Sequence, residues 1–354
     1  MDNQAKSLAS ALALATLCGA ASADPEISSV DGTLTDESII EILGTDFGTP
    51  DSPTPYFFDQ VDQAWINGDK VEAYTSVADD SLVPVGGSMP WKDNEGSVYL
   101  ERSGSFRGVR NSVYEGRFSG NDAWIGDPAG IPDPSAGDTR QLYISWYFKP
   151  DYSPTSSDNG AGGSHKFIRV WDSSGSSPDA RVSWTQMHLT YDGGGPSWKS
   201  FNGQVNQWNR MELYLSLDSN TINARVNGSN LHTINNFSEP QADGLVPRLL
   251  GFDGSGDAEW NNATWQITDY YVTNSRARVE IKSTPTWSET SVGELQIPVQ
   301  WNNNQIQFRL NRGAIASLDA AYLYVVDENG NVNQNGFPLC QSDCPSPPES
   351  PGPF

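Results

Sequence analysis

Apolar and polar residues alternate along the middle of the chain with the period of two that a half-buried β-strand imposes. In Gln141-Leu-Tyr-Ile-Ser-Trp-Tyr-Phe-Lys149, residues Leu142, Ile144, Trp146 and Phe148 share one face, and Tyr143, Ser145, Tyr147 and Lys149 share the other. Arg210 to Asp218 repeats the pattern, with Met211, Leu213, Leu215 and Leu217 inward and Arg210, Glu212 and Tyr214 outward. A third run, Thr221 to Asn227, alternates Ile222, Ala224 and Val226 with polar residues and ends at Asn227-Gly228, a hairpin turn signal. Around 182 to 188, strict alternation sets Val182, Trp184, Gln186 and His188 on one face. Lys166 and Arg169 fall on opposite faces of one strand by the same count. No stretch of comparable length has helical periodicity, so the middle of the chain is predicted to be an antiparallel sandwich of two sheets.

Shorter β-runs flank it. Ile27 to Val30 and Ser38 to Leu43, closed by Gly44-Thr-Asp-Phe-Gly48, stand at one end. Val279 to Ile281, Glu294 to Trp301, Gln305 to Leu310 and Ala321 to Val326 stand at the other. The opening runs resemble the first strands of an IPT/TIG domain, an immunoglobulin-like sandwich, and the closing runs resemble its second half. That resemblance implies one small domain, 24–50 plus 277–340, interrupted by an insert at 51–276. Insertion at an exposed loop is tolerated where the guest's ends lie close together. Residues 51 to 95, rich in Asp, Pro and Gly, read as the entry into the insert with two or three strands.

Composition narrows the setting. The 354 residues include 21 basic and 44 acidic side chains, a net charge of −23. Such a field repels nucleic acid and anionic membranes. Residues 1–23 read as a secretory leader, with Lys6, the apolar run Leu8 to Leu17 and Ala21-Ser-Ala23 as the cleavage site; the run is too short to span a bilayer. The mature chain is therefore expected outside the cell or in a periplasm. There Cys340 and Cys344 are expected to form a small disulfide, ahead of a disordered Pro-rich tail at 341–354.

The order of landmarks in the insert, Trp146-Tyr-Phe-Lys149, Lys166-Phe-Ile-Arg-Val-Trp171, Trp208-Asn-Arg-Met-Glu212 and Val226-Asn-Gly228, resembles concanavalin A-like jelly rolls of the polysaccharide-lyase and laminarinase type. The resemblance implies an all-β fold, a jelly roll within a small immunoglobulin-like sandwich, and an extracellular polysaccharide as partner on a concave face. On that reading Tyr143, Tyr147, Arg169, Trp184, Gln186, His188, Trp198, Arg210, Glu212 and Tyr214 are the ligand-binding candidates. Aromatic rings meet the apolar faces of sugars, and amides and charged groups meet the hydroxyls. Lys166 and Arg181 add to a local positive pocket.

Catalysis is the second reading. Alginate-lyase jelly rolls carry Q-I-H and Y-F-K strands, and Gln186-Met-His188 and Tyr147-Phe-Lys149 are similar to them, in reversed order. The resemblance implies β-elimination on a uronate glycan. His188 with Tyr147 or Tyr214 would be base and acid, and Gln186 with Arg210 or Arg169 would neutralise the substrate carboxylate. A glycoside hydrolase needs paired carboxylates on one strand, and no E-x-D-x-x-E or E-x-D-x-E run exists. No cofactor is required on any of these readings. Asp253, Asp257 and Glu259 lie between glycines in a loop suited to a structural calcium ion. A structural or adhesive surface protein is the third class.

Overall fold

The computed structural model describes residues 23–340 apart from 104–105, 109–111, 119–121, 155–164, 173–179, 187, 193, 240, 253–261 and 292. The leader, the tail, Cys344 and the calcium candidates Asp253, Asp257 and Glu259 therefore lie outside the described residues; Cys340 is disulfide-bonded. Among the described residues the chain is all-β, with two 3-10 turns and no α-helix. No helix is long and apolar enough to cross a membrane.

Pairing joins the two ends of the chain. Ile39–Thr45 is hydrogen-bonded to Gln305–Arg309, with Ile40 opposite Phe308 and Ile42 opposite Ile306. Glu26–Asp31 and Ile297–Asn302 complete that four-stranded sheet. A second sheet of four strands, built around Arg278–Lys282 and Tyr322–Val326, packs on it. Ile40, Ile42, Phe47, Val279, Ile281, Phe308, Leu323 and Val325 fill the space between them. The Gly44-Thr-Asp-Phe-Gly48 turn has a physical reason. A Cβ on Gly44 would meet the Glu26 carbonyl at 2.0 Å and the ring of Phe47 at 2.5 Å, so glycine lets that ring fold back into the core. Gly48 has φ +77°, and Trp301 ties the turn down by donating its indole N–H to the Phe47 carbonyl at 3.0 Å.

Between these halves stands a larger, jelly-roll-type sandwich. Its eleven-stranded sheet contains Gln141–Pro150, Asn209–Ser216, Thr221–Val226 and Thr264–Thr273; its seven-stranded sheet contains His165–Trp171, Arg181–Thr185, His188–Tyr191 and Val246–Phe252. The inward residues read from the alternation, Leu142, Ile144, Trp146, Phe148, Met211, Leu213 and Leu215, all join one core. Asn227 and Gly228 take φ +50° and +73° and close the two-residue hairpin between Val226 and Ser229. The entry segment is richer than its sequence shows, holding five short strands between Phe57 and Glu95. Inside this core His165 is ringed by Phe148, Phe167, Phe252 and Trp265, and burial holds its imidazole well below the usual pKa, hence neutral.

Candidate functional site

The alternation leaves each sheet of the large sandwich with an outward polar face. On the eleven-stranded sheet this face carries Tyr143, Tyr147, Arg210, Glu212 and Tyr214, as expected, yet all but the half-buried Tyr214 are buried. The small sandwich sits on top of them. Tyr143, Phe58, Trp65 and Tyr271 pack against Leu295 and Ile297. Arg210 donates to both oxygens of Glu280 at 3.2 Å and to the Tyr143 hydroxyl at 3.0 Å, and that hydroxyl donates to Glu212 at 2.6 Å. Burial alone would raise the Glu280 carboxyl, but Arg210, Lys282 and Arg278 around it hold it well below the usual carboxylate range. Tyr147 is enclosed by Phe106, Val113 and Trp208 and accepts from Arg107 at 2.6 Å; burial, with Glu294 nearby, pushes its phenol well above the usual range. Tyr143, Arg210 and Glu212 belong to the joint between two sandwiches and Tyr147 is enclosed, so the open concave face expected for these residues is corrected; Tyr143, Glu212 and Tyr214 border only the groove at the edge of that joint.

The other outward face has no sandwich on it among the described residues, but Lys166, Ser183, Thr185 and His188 are buried there, Arg169 and Trp171 are half-buried, and only Arg181 and Trp198 of this group are exposed. The register sets it out strand by strand: Lys166 opposite Thr185, Arg169 opposite Ser183, Trp171 opposite Arg181, and His188 between Thr185 and Trp198. A bulge between Lys166 and Ile168 brings Lys166 and Arg169 to the same side, which uninterrupted alternation forbids. Arg169 donates to the Ser183 hydroxyl at 3.2 Å. Arg248 lies 5.7 Å from the Trp171 ring and pairs with Asp127 at 2.5 Å. The Asp127 carboxyl is raised to about 6, mainly by burial, with Arg248 opposing the rise and a hydrogen bond to Asp93 adding to it. Trp198 is 56% exposed, its ring centre 4.6 Å from that of His188 and tilted by 37°. Behind it, His232 bonds the Ser197 hydroxyl at 2.9 Å; burial, with Lys199 and His188 nearby, lowers that imidazole to about 4.

The 182–188 segment departs from the strict alternation. The chain reverses directly after Thr185, so Trp184 pairs with Leu189 and Thr185 with His188. Gln186 sits at the reversal with φ +45°, buried. Trp184 lies in the core with Val182, its ring 6.1 Å from Trp146, and the reversal puts His188 on the outer side, where it is buried. The elimination constellation separates for the same reason. His188 lies outside one sheet and Tyr147, Tyr214 and Arg210 outside the other, with the hydrophobic core between them. They do not converge on one substrate atom. Of the sequence candidates, the structure groups Arg169, His188 and Trp198 with Lys166 and Arg181. Arg248 went unnoticed because it stands in a register shift, where the period of two fails, and Trp171 was read as a strand landmark without a binding role.

No protein-family model and no curated protein matches the sequence. Among solved structures, the PL-14 alginate lyase from Aplysia kurodai is similar at 14% identity and a TM-score of 0.36, over 56% of this chain and 99% of that one. The binding domain of botulinum neurotoxin serotype D aligns at 9% identity and a TM-score of 0.37, over 78% of this chain and 71% of that one. A sialidase aligns at 12% identity and a TM-score of 0.32 over 60% of this chain, which spans only 21% of the sialidase. Likeness at this level says nothing of what this chain binds.

Proposed function

We propose that this chain is a secreted, non-catalytic protein that binds an extracellular polysaccharide on the outer face of its seven-stranded sheet. The observation that carries this reading is Trp198. Among the described residues it is the only aromatic side chain in the set of exposed large hydrophobics. An indole left in water next to an imidazole offers a flat apolar platform to the C–H face of a sugar ring. On the same face the half-buried Arg169 and the exposed Arg181 supply cations for the sugar's polar edge. The small sandwich, read as IPT/TIG-like, serves as the base on which the large one is mounted. The leader-like opening of the sequence supports secretion.

The test is retention in gels containing a panel of soluble polysaccharides, comparing the protein with Trp198→Ala and Arg169→Ala. Slowed migration in at least one polymer, relieved in both variants, is the expected result. Retention that survives both substitutions moves the binding surface elsewhere, and free migration in every polymer rejects the reading.

A further inference from the structure

Where the two sandwiches meet at the surface a groove follows their joint, and the two chain segments that connect them form part of its wall. The inner end, about 150 Å³, is lined by Tyr143, Glu212, Tyr214, Arg278 and Trp287 among others. It continues into a basin of about 550 Å³ bounded by the ingoing segment at 49–51 and the outgoing segment at 274–276. Tyr214 and Arg276 line both parts. The Arg276 guanidinium lies 3.9 Å from the centre of the Tyr214 ring. On its other side Gly330 leaves the space, since a Cβ there would stand 3.2 Å from an Arg276 guanidinium nitrogen.

Arg276 differs from its neighbours in having its fork unused. Arg225 is paired with Glu289 at 2.5 Å and Arg278 with Glu280 at 2.6 Å. The Arg276 guanidinium makes no hydrogen bond or ion pair among the described residues. Stacking on Tyr214 holds the planar group in place before any ligand arrives, which lowers the ordering cost of binding. At the inner end three arginines, Arg225, Arg276 and Arg278, face two carboxylates, Glu212 and Glu289, in a chain whose net charge is −23. The basin turns acidic again at Asp51, Asp218 and Glu328, with neutral amides and hydroxyls from Gln141, Thr221 and Asn329 between them. A polyanion is repelled there, whereas one carboxylate on a hydroxyl-rich body meets complementary groups along the whole groove.

We propose that the groove between the sandwiches binds a sugar bearing a single carboxylate, with the Arg276 fork taking the carboxylate in the bidentate geometry that suits it. The neutral wall of the basin takes the hydroxyls. Because both sandwiches and both connecting segments build the site, the ligand also favours their docked arrangement. This groove is separate from the Trp198 face, and neither site depends on the other.

The experiment is a calorimetric titration of the full chain with galacturonic acid, galactose and acetate, repeated with Arg276→Gln and Arg276→Lys. Arg276 is outside both hydrophobic cores, and an unchanged unfolding midpoint establishes that each variant folds. Galacturonic acid is expected to bind at least about tenfold more tightly than either fragment, and both variants to lose about tenfold, since lysine keeps the charge without the fork. Equal binding of galactose removes the carboxylate from the proposal, and equal binding of acetate reduces it to an adventitious anion site. Undiminished uronate binding by a folded Arg276→Gln protein, or no uronate binding at millimolar concentration, overturns it.

Discussion

The strands Gln141–Pro150 and Asn209–Ser216 turn Tyr143, Tyr147, Arg210, Glu212 and Tyr214 outward, and the strands His165–Trp171 and Arg181–Thr185 turn out Lys166, Arg169, Trp171, Ser183 and Thr185. Written as patterns the two faces are nearly alike, each an alternation of core residues with aromatic, cationic and hydroxyl-bearing ones. Their surroundings differ. The first lies under the small sandwich, where its charges are matched by Glu280, Arg278 and Lys282. The second keeps an exposed indole at its edge. Polar outward faces on a sandwich thus do not mark a binding surface; a second domain satisfies them as well as a ligand does.

The contrast breaks first at Arg210. Arg210→Ala removes the bidentate partner of the buried Glu280 carboxylate and leaves it with Arg278 and Lys282, so about 3 kcal/mol of stability, the low end for a broken buried pair, is expected to go, measured by denaturant unfolding. Loss below about 1 kcal/mol shows that water reaches the joint and that the two faces are less different than their packing. Tyr143→Phe, which removes the hydroxyl held between Arg210 and Glu212, is expected to cost about 1.5–3 kcal/mol by the same assay.

Acid sharpens the contrast. The Glu280 pKa is lowered on folding, so the folded protein binds fewer protons at this site than the unfolded chain does. The stability this carboxylate contributes is complete above the ordinary glutamate value of 4.5 and is lost as pH falls through the folded value. One such group gives a slope of at most about 1.4 kcal/mol per pH unit. Glu280→Gln is expected to flatten that part of the stability profile, and an unaltered slope shows that other carboxylates set it. Smallest is Trp198→Ala, expected to change stability by less than about 0.5 kcal/mol while abolishing polymer retention. A large destabilisation there makes Trp198 a structural residue and deprives the open face of its platform.

Elements with uninterrupted alternation were legible. The inward sets of the Gln141–Pro150 and Asn209–Ser216 strands lie in the core as read, and the opening β-runs share one sheet with Ile297–Asn302 and Gln305–Arg309 of the closing runs. The Gly44 to Gly48 turn was readable because Gly44 makes room for the Phe47 ring three residues on and Gly48 takes a positive φ. Legibility failed where the period slipped by one residue. The reversal after Thr185 parted His188 from Trp184, which lies in the core with Val182, and the bulge in His165–Trp171 put Lys166 and Arg169 on one side. Backbone periodicity is a property of the chain and is written in it, so strands, inward faces and turns follow from sequence. Which outward face stays open is decided by what packs on it, and Arg210 meets Glu280 across 70 residues through a contact that no local pattern encodes. Only the folded arrangement of the two sandwiches assigns one face to a joint, leaves the other with an exposed indole at its edge, and makes the line where the sandwiches meet a groove.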